Sequence, residues 1–408
     1  PHLYMPSCPQ FAKRFTDQCR LFAKENEANK KKQRRNHMSE DRKNMKEQSE
    51  PELEKVTKRL NEYLEQICPP DQKAAAQAKK RWKQIAKPLF SLGKLEDAVT
   101  KIAGMKGSPA YSLDKKGLVI MCADNGVVEE GVTQTGQEVT AIVAENFLKG
   151  ATSAAIMCQS AEVDLFPIDI GMVRDTRVPN YKVAYGTKNM VKEPAMTREE
   201  ALQAILTGVH LVKEKKEAGY QILATGEMGI GNTTTSSAVA SVLLDESVET
   251  MTGRGAGLDS AGLRRKIHAI KTAIAKNKPN ADDPVDVLAK VGGFDLAGLV
   301  GIYLGGAYYH VPVIMDGFIS AVAALAAVQM CNNVREYIIV SHVSKEPGMH
   351  ILLKALGREA SMTCDMCLGE GTGAVAFLPV LDMALAVYEK MSTFSDIHID
   401  DYEELGDK

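Results

Sequence analysis

From Pro51 onward, apolar residues recur at three- and four-residue steps. Leu53, Val56, Leu60, Leu64 and Ile67 share one helical face, and Pro69-Pro70 ends that helix. A second amphipathic segment is predicted over 72–85, a loop over Lys87–Gly93, and a further helix from about Leu95. Beyond it, short continuous apolar runs alternate with helical stretches. Leu118–Cys122, Val163–Ile170, Gln221–Thr225, Val311–Met315 and Tyr337–Val340 each read as a buried strand. Strands alternating with helices predict an α/β fold, a parallel sheet with helices on both faces. The most apolar zone, Leu296–Met330, is interrupted by His310, Pro312 and Asp316. It predicts helix, strand and helix rather than a membrane span.

The polar residues that follow these runs suggest chemistry. Asp124, Glu227, Asp316 and Ser344 fall just past the C-terminal end of a predicted strand. In open α/β sheets that edge binds ligands, so one shared site is predicted. Gly226–Asn232 leads into Thr233-Thr234-Thr235-Ser236-Ser237, whose hydroxyls are placed to cap a helix whose amides can also take an anion. Gly253-Arg254-Gly255-Ala256-Gly257 precedes a helix carrying Arg264, Arg265 and Lys266, a second candidate phosphate cradle. Neither loop has P-loop or dinucleotide-fingerprint spacing. Leu368–Ala374 sets one carboxylate, Glu370, between glycines, with the apolar run Val375–Leu378 behind it. Partial desolvation raises the proton affinity of such a carboxylate and makes it a candidate general base; the plain alternative is a solvated turn. Among the histidines only His342 is placed near the site.

Composition narrows the function classes. The 408 residues are 45% hydrophobic and 25% charged with a net charge of −2, which makes no global case for nucleic acid or membrane partners. One Trp and few aromatics advertise no base-stacking platform. The eight Cys lack framework spacing and read as reduced thiols of a cytoplasmic protein. Cys364 and Cys367 form a C-x-x-C without a second pair. No metal or cofactor is expected: Asp282-Asp283 lies in a loop and Asp400-Asp401 in the tail, so no acidic pair suited to Mg-pyrophosphate ends a strand. Residues 1–50, including the basic run Lys30–Arg35, read as a polar extension that does not order itself, with Met38 a candidate start and no apolar segment of a signal peptide.

Four motifs then occur in order: Gly226-Glu227-Met228-Gly229-Ile230-Gly231-Asn232-Thr233-Thr234, Asp316-Gly317-Phe318-Ile319-Ser320, Ser341-His342-x-Ser344-x-Glu346-Pro347-Gly348, and Leu368-Gly369-Glu370-Gly371-Thr372-Gly373. Together they resemble the nicotinate-nucleotide–dimethylbenzimidazole phosphoribosyltransferase family, from about Lys87 to Phe394. The resemblance implies a cytoplasmic homodimer. Each subunit would have a Rossmann-like parallel sheet flanked by helices, with a smaller helical domain from the terminal regions. The catalytic unit would span 51–408, its helical part mainly 51–115 with the C-terminal helices, and its α/β core about 116–378.

The resemblance also implies roles. Glu370 matches the general base, and Glu227 and Lys266 match acidic and basic residues of the same site. Gly229, Gly255, Gly317 and Ser344 fall where the nucleotide phosphate is held, with Asp316 also at the substrate. Thr133, Met228 and Leu368 border the aromatic base. The implied substrates are nicotinate mononucleotide and a benzimidazole-type base. The sequence departs from the family at Asn125, where His is usual, at Leu89-Phe90 for Pro-Gly, at Met349 for His and at Cys367 for Arg. Two alternatives stand beside this: the same reaction on a purine or phenol, and a non-catalytic nucleotide-binding regulator. Intact Glu227, Lys266 and Glu370 argue against the regulator.

Overall fold

The computed structural model describes residues 52–403. The expectations for residues 1–50, with the basic run and Met38, lie outside the described residues. The chain divides between Lys55 and Val56, and the sheet with the helices around it belongs to the unit that begins at Val56.

Five parallel strands form the central sheet in the order β2-β1-β3-β4-β5. They are β1 (Lys116–Ala123), β2 (Val163–Gly171), β3 (Ile222–Met228), β4 (Val313–Met315) and β5 (Ile338–Val340). Every residue of β1, β4 and β5 is buried, which is why these runs are continuously apolar rather than alternating. The chain leaves β1 to one side for β2 and returns to the other side for β3. The resulting switch point lies between β1 and β3, where a crevice opens at the C-terminal edge. The β1–β2 register slips between Cys122 and Ala123, a bulge at the rim of that crevice.

The predicted strands are all present, with one consequential difference. β3 runs on to Met228, so Glu227 stands on the strand and not beyond it. β4 and β5 are shorter than their apolar runs, because Val311 and Pro312 still turn out of the preceding helix and Tyr337 ends a 3-10 turn.

Leu296–Met330 does fold as helix, strand and helix: Phe294–Tyr309, β4 and Phe318–Met330. The first of these helices packs against Arg198–Glu217, which begins with a capping box between Thr197 and Glu200. Glycines let the two backbones touch. A Cβ on Gly208 would lie 2.1 Å from the Gly298 carbonyl oxygen, and one on Gly301 1.9 Å from that of Ile205.

Helix Gln72–Gln84 meets the C-terminal part of helix Thr372–Lys390. Trp82, in helix Gln72–Gln84, packs against Tyr388 with ring centroids 5.0 Å apart and planes tilted by 55°. Arg81 donates to the carbonyls of Tyr388 and Glu389, both at 2.9 Å. Thr372–Lys390 is the one helix among the described residues long and apolar enough to cross a membrane, and 56% of its most apolar window is buried within the fold.

Gly301→Val places a branched side chain where a carbonyl already sits. Overpacking of this kind costs about 1–3 kcal/mol. Urea unfolding should show a lower midpoint at unchanged slope, and an unchanged midpoint would show that the helix pair tolerates separation.

Candidate active site

A cavity of about 320 Å³ opens at the C-terminal edge of the sheet, beside the switch point. Ten of the eleven residues given roles by the resemblance line it; Asp124, the fourth strand-end candidate, does not, being fully buried with its carboxylate accepting from the Val173 amide at 2.8 Å. Glu227, Met228 and Gly229 come from the end of β3 and the turn after it, Asp316 and Gly317 follow β4, and Ser344 follows β5. Thr133 comes from the loop after β1, Gly255 from the 253–257 loop, and Leu368 and Glu370 from the loop before helix Thr372–Lys390. Lys266 stands behind the wall. Its Nζ donates to Thr233 Oγ1 at 2.8 Å and to the Gly253 carbonyl at 3.1 Å, and it lies 3.4 Å from where a Cβ on Gly255 would be. Arg264 and Arg265 of the same helix are exposed.

The Glu370 loop has an unusual backbone. Gly369, Glu370 and Gly371 take φ of 88°, 58° and 83°, three successive left-handed residues. A glutamate in that region costs about 1–2 kcal/mol, so the surroundings must hold it there. Asp316 does so. Its carboxylate accepts from the amides of Gly371 at 3.2 Å, Gly373 at 2.8 Å and Ala374 at 3.0 Å. The loop also lies against the sheet, since a Cβ on Gly226 would be 2.7 Å from the Glu370 carbonyl oxygen. The His342 ring fills the space where a Cβ on Gly373 would sit, at 2.0 Å. Ser341 donates its one hydroxyl hydrogen to the Met315 carbonyl at 2.6 Å, so His342 Nδ1, 3.0 Å from Ser341 Oγ, must be the donor of that pair. Neutral His342 therefore carries its proton on Nδ1 and keeps Nε2 as an acceptor.

Burial sets the charges of the site. It raises the Glu370 carboxyl above the ordinary glutamate value; the Ala154 amide opposes the rise, and the nearby Asp316 charge adds to it. Glu370 Oε2 is buried without a hydrogen-bond partner among the described residues. Burial raises Glu227 strongly, followed by the charges of Asp295 and Asp316, while the Asn232 side chain donates to its Oε2 and opposes the rise. Lys266 is pushed down to about 8 by desolvation, against the pull of Glu346. Burial lowers His342, and the Asp316 charge opposes that shift. Two helices, Asn232–Leu244 and Phe318–Met330, begin at the cavity after Gly231 and Gly317 with no side-chain cap. In the first helix the amides of Asn232, Thr234 and Thr235 already bond the carbonyls of Gly229 and Gly231, so the start of Phe318–Met330 is the more open anion-attracting end.

A family model described as Phosphoribosyltransferase matches residues 67–399. The nicotinate-nucleotide–dimethylbenzimidazole phosphoribosyltransferase of Ruminiclostridium cellulolyticum is 49% identical over 331 residues, covering 80% of this chain and 94% of that protein. The Acetivibrio thermocellus protein of the same name is 48% identical over 327 residues, covering 79% and 93%. The chain belongs to the nicotinate-nucleotide–dimethylbenzimidazole phosphoribosyltransferase family. The crystal structure of CobT from Thermus thermophilus resembles it with a TM-score of 0.77 at 37% identity, covering 81% of this chain and all of that one.

Within this family fold, two expectations need correcting. The hydroxyls of Thr233–Ser237 do not cap their helix. Thr235 and Ser237 turn back to the carbonyls of Asn232 and Thr233, and Thr233 accepts from Lys266. The helix after the 253–257 loop begins only at Ser260 and is capped by Asp259, so its N-terminus is not part of a phosphate cradle. Sequence reasoning also passed over Asn232 and Glu346, which line the cavity, and Asp295, which is fully buried behind it. Asn232 and Glu346 belong to the sequence motifs, but nothing in their local pattern signals a role. The signal for Asp295 was an acid inside an otherwise apolar helix. The departures from the family pattern are dispersed. Cys367 is exposed at the cavity and Met349 is buried. Phe90 is exposed at φ 59°, a conformation a glycine adopts more cheaply.

Glu227→Gln should stabilise the protein in a pH-dependent way. The carboxyl is raised in the folded state above its ordinary value of 4.5, so wild type loses stability relative to the variant as pH rises from about that value towards the folded one. Melting temperatures of the two proteins should diverge in favour of the variant as pH rises above the ordinary glutamate value of 4.5. A constant difference would mean that Glu227 is not a desolvated acid.

Proposed function

We propose that this protein transfers the phosphoribosyl group of nicotinate mononucleotide to 5,6-dimethylbenzimidazole, releasing nicotinate and giving the α-ribazole 5′-phosphate used as a cobamide lower ligand. The observation that carries this reading is Glu370. A half-buried carboxylate with an unpaired oxygen is held at a cavity edge by a backbone conformation that its surroundings enforce.

The chemistry asks little else of a proton-transfer group. The pyridine ring of nicotinate mononucleotide is already cationic. When its bond to C1′ breaks, the electron pair neutralises the ring nitrogen and no proton is needed. One nitrogen of the benzimidazole forms the new bond to C1′, and the proton on its other nitrogen passes to Glu370. Attack opposite the departing ring inverts C1′ and yields the α-product. Holding both substrates in line supplies much of the remaining acceleration. The uncapped starts of Asn232–Leu244 and Phe318–Met330, with Gly229, Gly255, Gly317 and Ser344, suit a single monophosphate. Asp316 and His342 position the Glu370 loop, Lys266 ties Thr233 to the 253–257 loop, and Thr133, Met228 and Leu368 border the aromatic base. Leu368 is 57% exposed, an apolar side chain left open beside the cavity for a flat ring.

The catalytic unit is assigned to 51–408, with a helical part formed mainly by 51–115 and the C-terminal helices. A cytoplasmic homodimer is proposed with it; the family resemblance supports the dimer, and free cysteines suit a reducing compartment.

Glu370→Gln should lower turnover ~10²–10⁴-fold while substrate binding is nearly unchanged. Activity within about twofold of wild type would remove Glu370 from the role of base.

The donor is tested separately. Both carboxylate oxygens of Asp316 are occupied by amides, which leaves that strand end poorly suited to bind a metal-pyrophosphate. Turnover of nicotinate mononucleotide should persist in excess EDTA. Metal-dependent turnover of phosphoribosyl pyrophosphate alone would overturn the assignment.

A further inference from the structure

Behind the cavity wall lies an acid that the chemistry above does not use. Asp295 is fully buried in the first turn of helix Phe294–Tyr309. Its Oδ1 accepts from the Leu296 amide at 3.0 Å, and a helix start favours negative charge. Its Oδ2 has no hydrogen-bond partner among the described residues and lies 2.7 Å from where a Cβ on Gly229 would be. It therefore sits directly under the turn that follows β3. Asn232 connects this acid to the cavity, since its Nδ2 donates to Glu227 Oε2 and its side chain also lies beside Asp295.

The titratable groups that face Glu227 come from every element around it. They are Asp295 from the helix below, Asp316 from the end of β4, Glu370 from the glycine loop and the buried thiol of Cys122 on β1. None is a cation. Among the described residues, no ion pair includes Glu227 or Asp295, and Lys266 is turned to Thr233 and Gly253. Asn125, beside Asp295, brings an amide and no charge.

Two buried carboxylates without a counter-cation do not both ionise. Asp295 has a backbone amide and a helix start to support a negative charge. Glu227 has one side-chain amide and three acids around it. The charge belongs on Asp295 and the proton on Glu227. We propose that Asp295 is a positioning residue that keeps Glu227 protonated, so that Glu227 meets the substrates as a neutral hydrogen-bond donor and Glu370 stays free to take the proton of the incoming base. The proposal rests on the reading of Glu370 as general base.

The test is kcat/KM against pH with nicotinate mononucleotide and dimethylbenzimidazole, for full-length wild type, Glu227→Gln, Asp295→Asn and the double variant. Wild type and Glu227→Gln should share one acid limb, because residue 227 is neutral in both. In Asp295→Asn the acid that raises Glu227 most is gone while burial and Asp316 remain, so a larger share of Glu227 ionises and its charge raises the proton affinity of Glu370, moving the limb to higher pH by up to roughly one unit. The double variant should return the limb to its wild-type position. A purely structural role for Asp295 would lower the rate at every pH without moving the limb. An unmoved limb in Asp295→Asn, or a shift that persists in the double variant, overturns the proposal. Infrared difference spectra of wild type minus Glu227→Gln at neutral pH give a second measurement, independent of turnover and of whether Asp295→Asn folds. A carboxylic-acid carbonyl band is expected, and its absence overturns the proposal. If wild type shows no turnover of these substrates, the functional reading fails while the infrared band still decides where the proton lies.

Discussion

The carboxylate of Asp316 is the constraint on which the site depends. It sits at the end of a three-residue strand and gathers the amides of Gly371, Gly373 and Ala374. Those amides would otherwise be the open start of helix Thr372–Lys390, so one side chain both caps a helix and fixes the left-handed turn that carries Glu370. A buried carboxylate costs free energy unless hydrogen bonds offset it; three amides oppose that cost here, although burial still raises the Asp316 carboxyl above its ordinary value. His342 closes the arrangement by packing its ring on Gly373, a fit that only a residue without a Cβ allows.

The three helix starts at the cavity are used differently, and the difference sorts the chemistry. The start of Thr372–Lys390 is consumed by Asp316. Those of Asn232–Leu244 and Phe318–Met330 lack a side-chain cap and face the cavity. Negative charge is thus favoured beside the helix starts and disfavoured at Glu227 and Glu370, which burial pushes towards their protonated forms. A phosphate and a general base can occupy one small volume only if the fold separates their electrostatic environments in this way.

Lys266 shows how the outer layer of residues contributes. It is a buried cation close to the cavity, yet it joins Thr233 to Gly253 rather than standing in the open. By doing so it ties the start of one helix to a glycine-rich loop. Its lowered proton affinity reflects the desolvation of that position, with Glu346 across from it restoring part of the charge.

The sequence determined a good deal by itself. The apolar runs marked all five strands; β1, β4 and β5 are buried along their whole length and leave no room for polar alternation. The motif Leu368–Gly373 pointed to Glu370, since glycines on both sides of an acid signal a backbone that must turn tightly. Tertiary structure decided the rest. Glu227 proved to be on β3 and not beyond it, because pairing with β1 extends the strand past its apolar run. Lys266 proved to stand behind the wall, because helix phase turns it inward while Arg264 and Arg265 face out. The threonines after Gly231 proved not to be caps, because a buried lysine and helix carbonyls compete for their hydroxyls. Asp295 and Asn125 lie 170 positions apart in the chain and meet only against Gly229 and Gly293. Local sequence sets backbone preference and apolar pattern, whereas proton affinity depends on burial and on which distant charges share that burial, and only the folded chain specifies those.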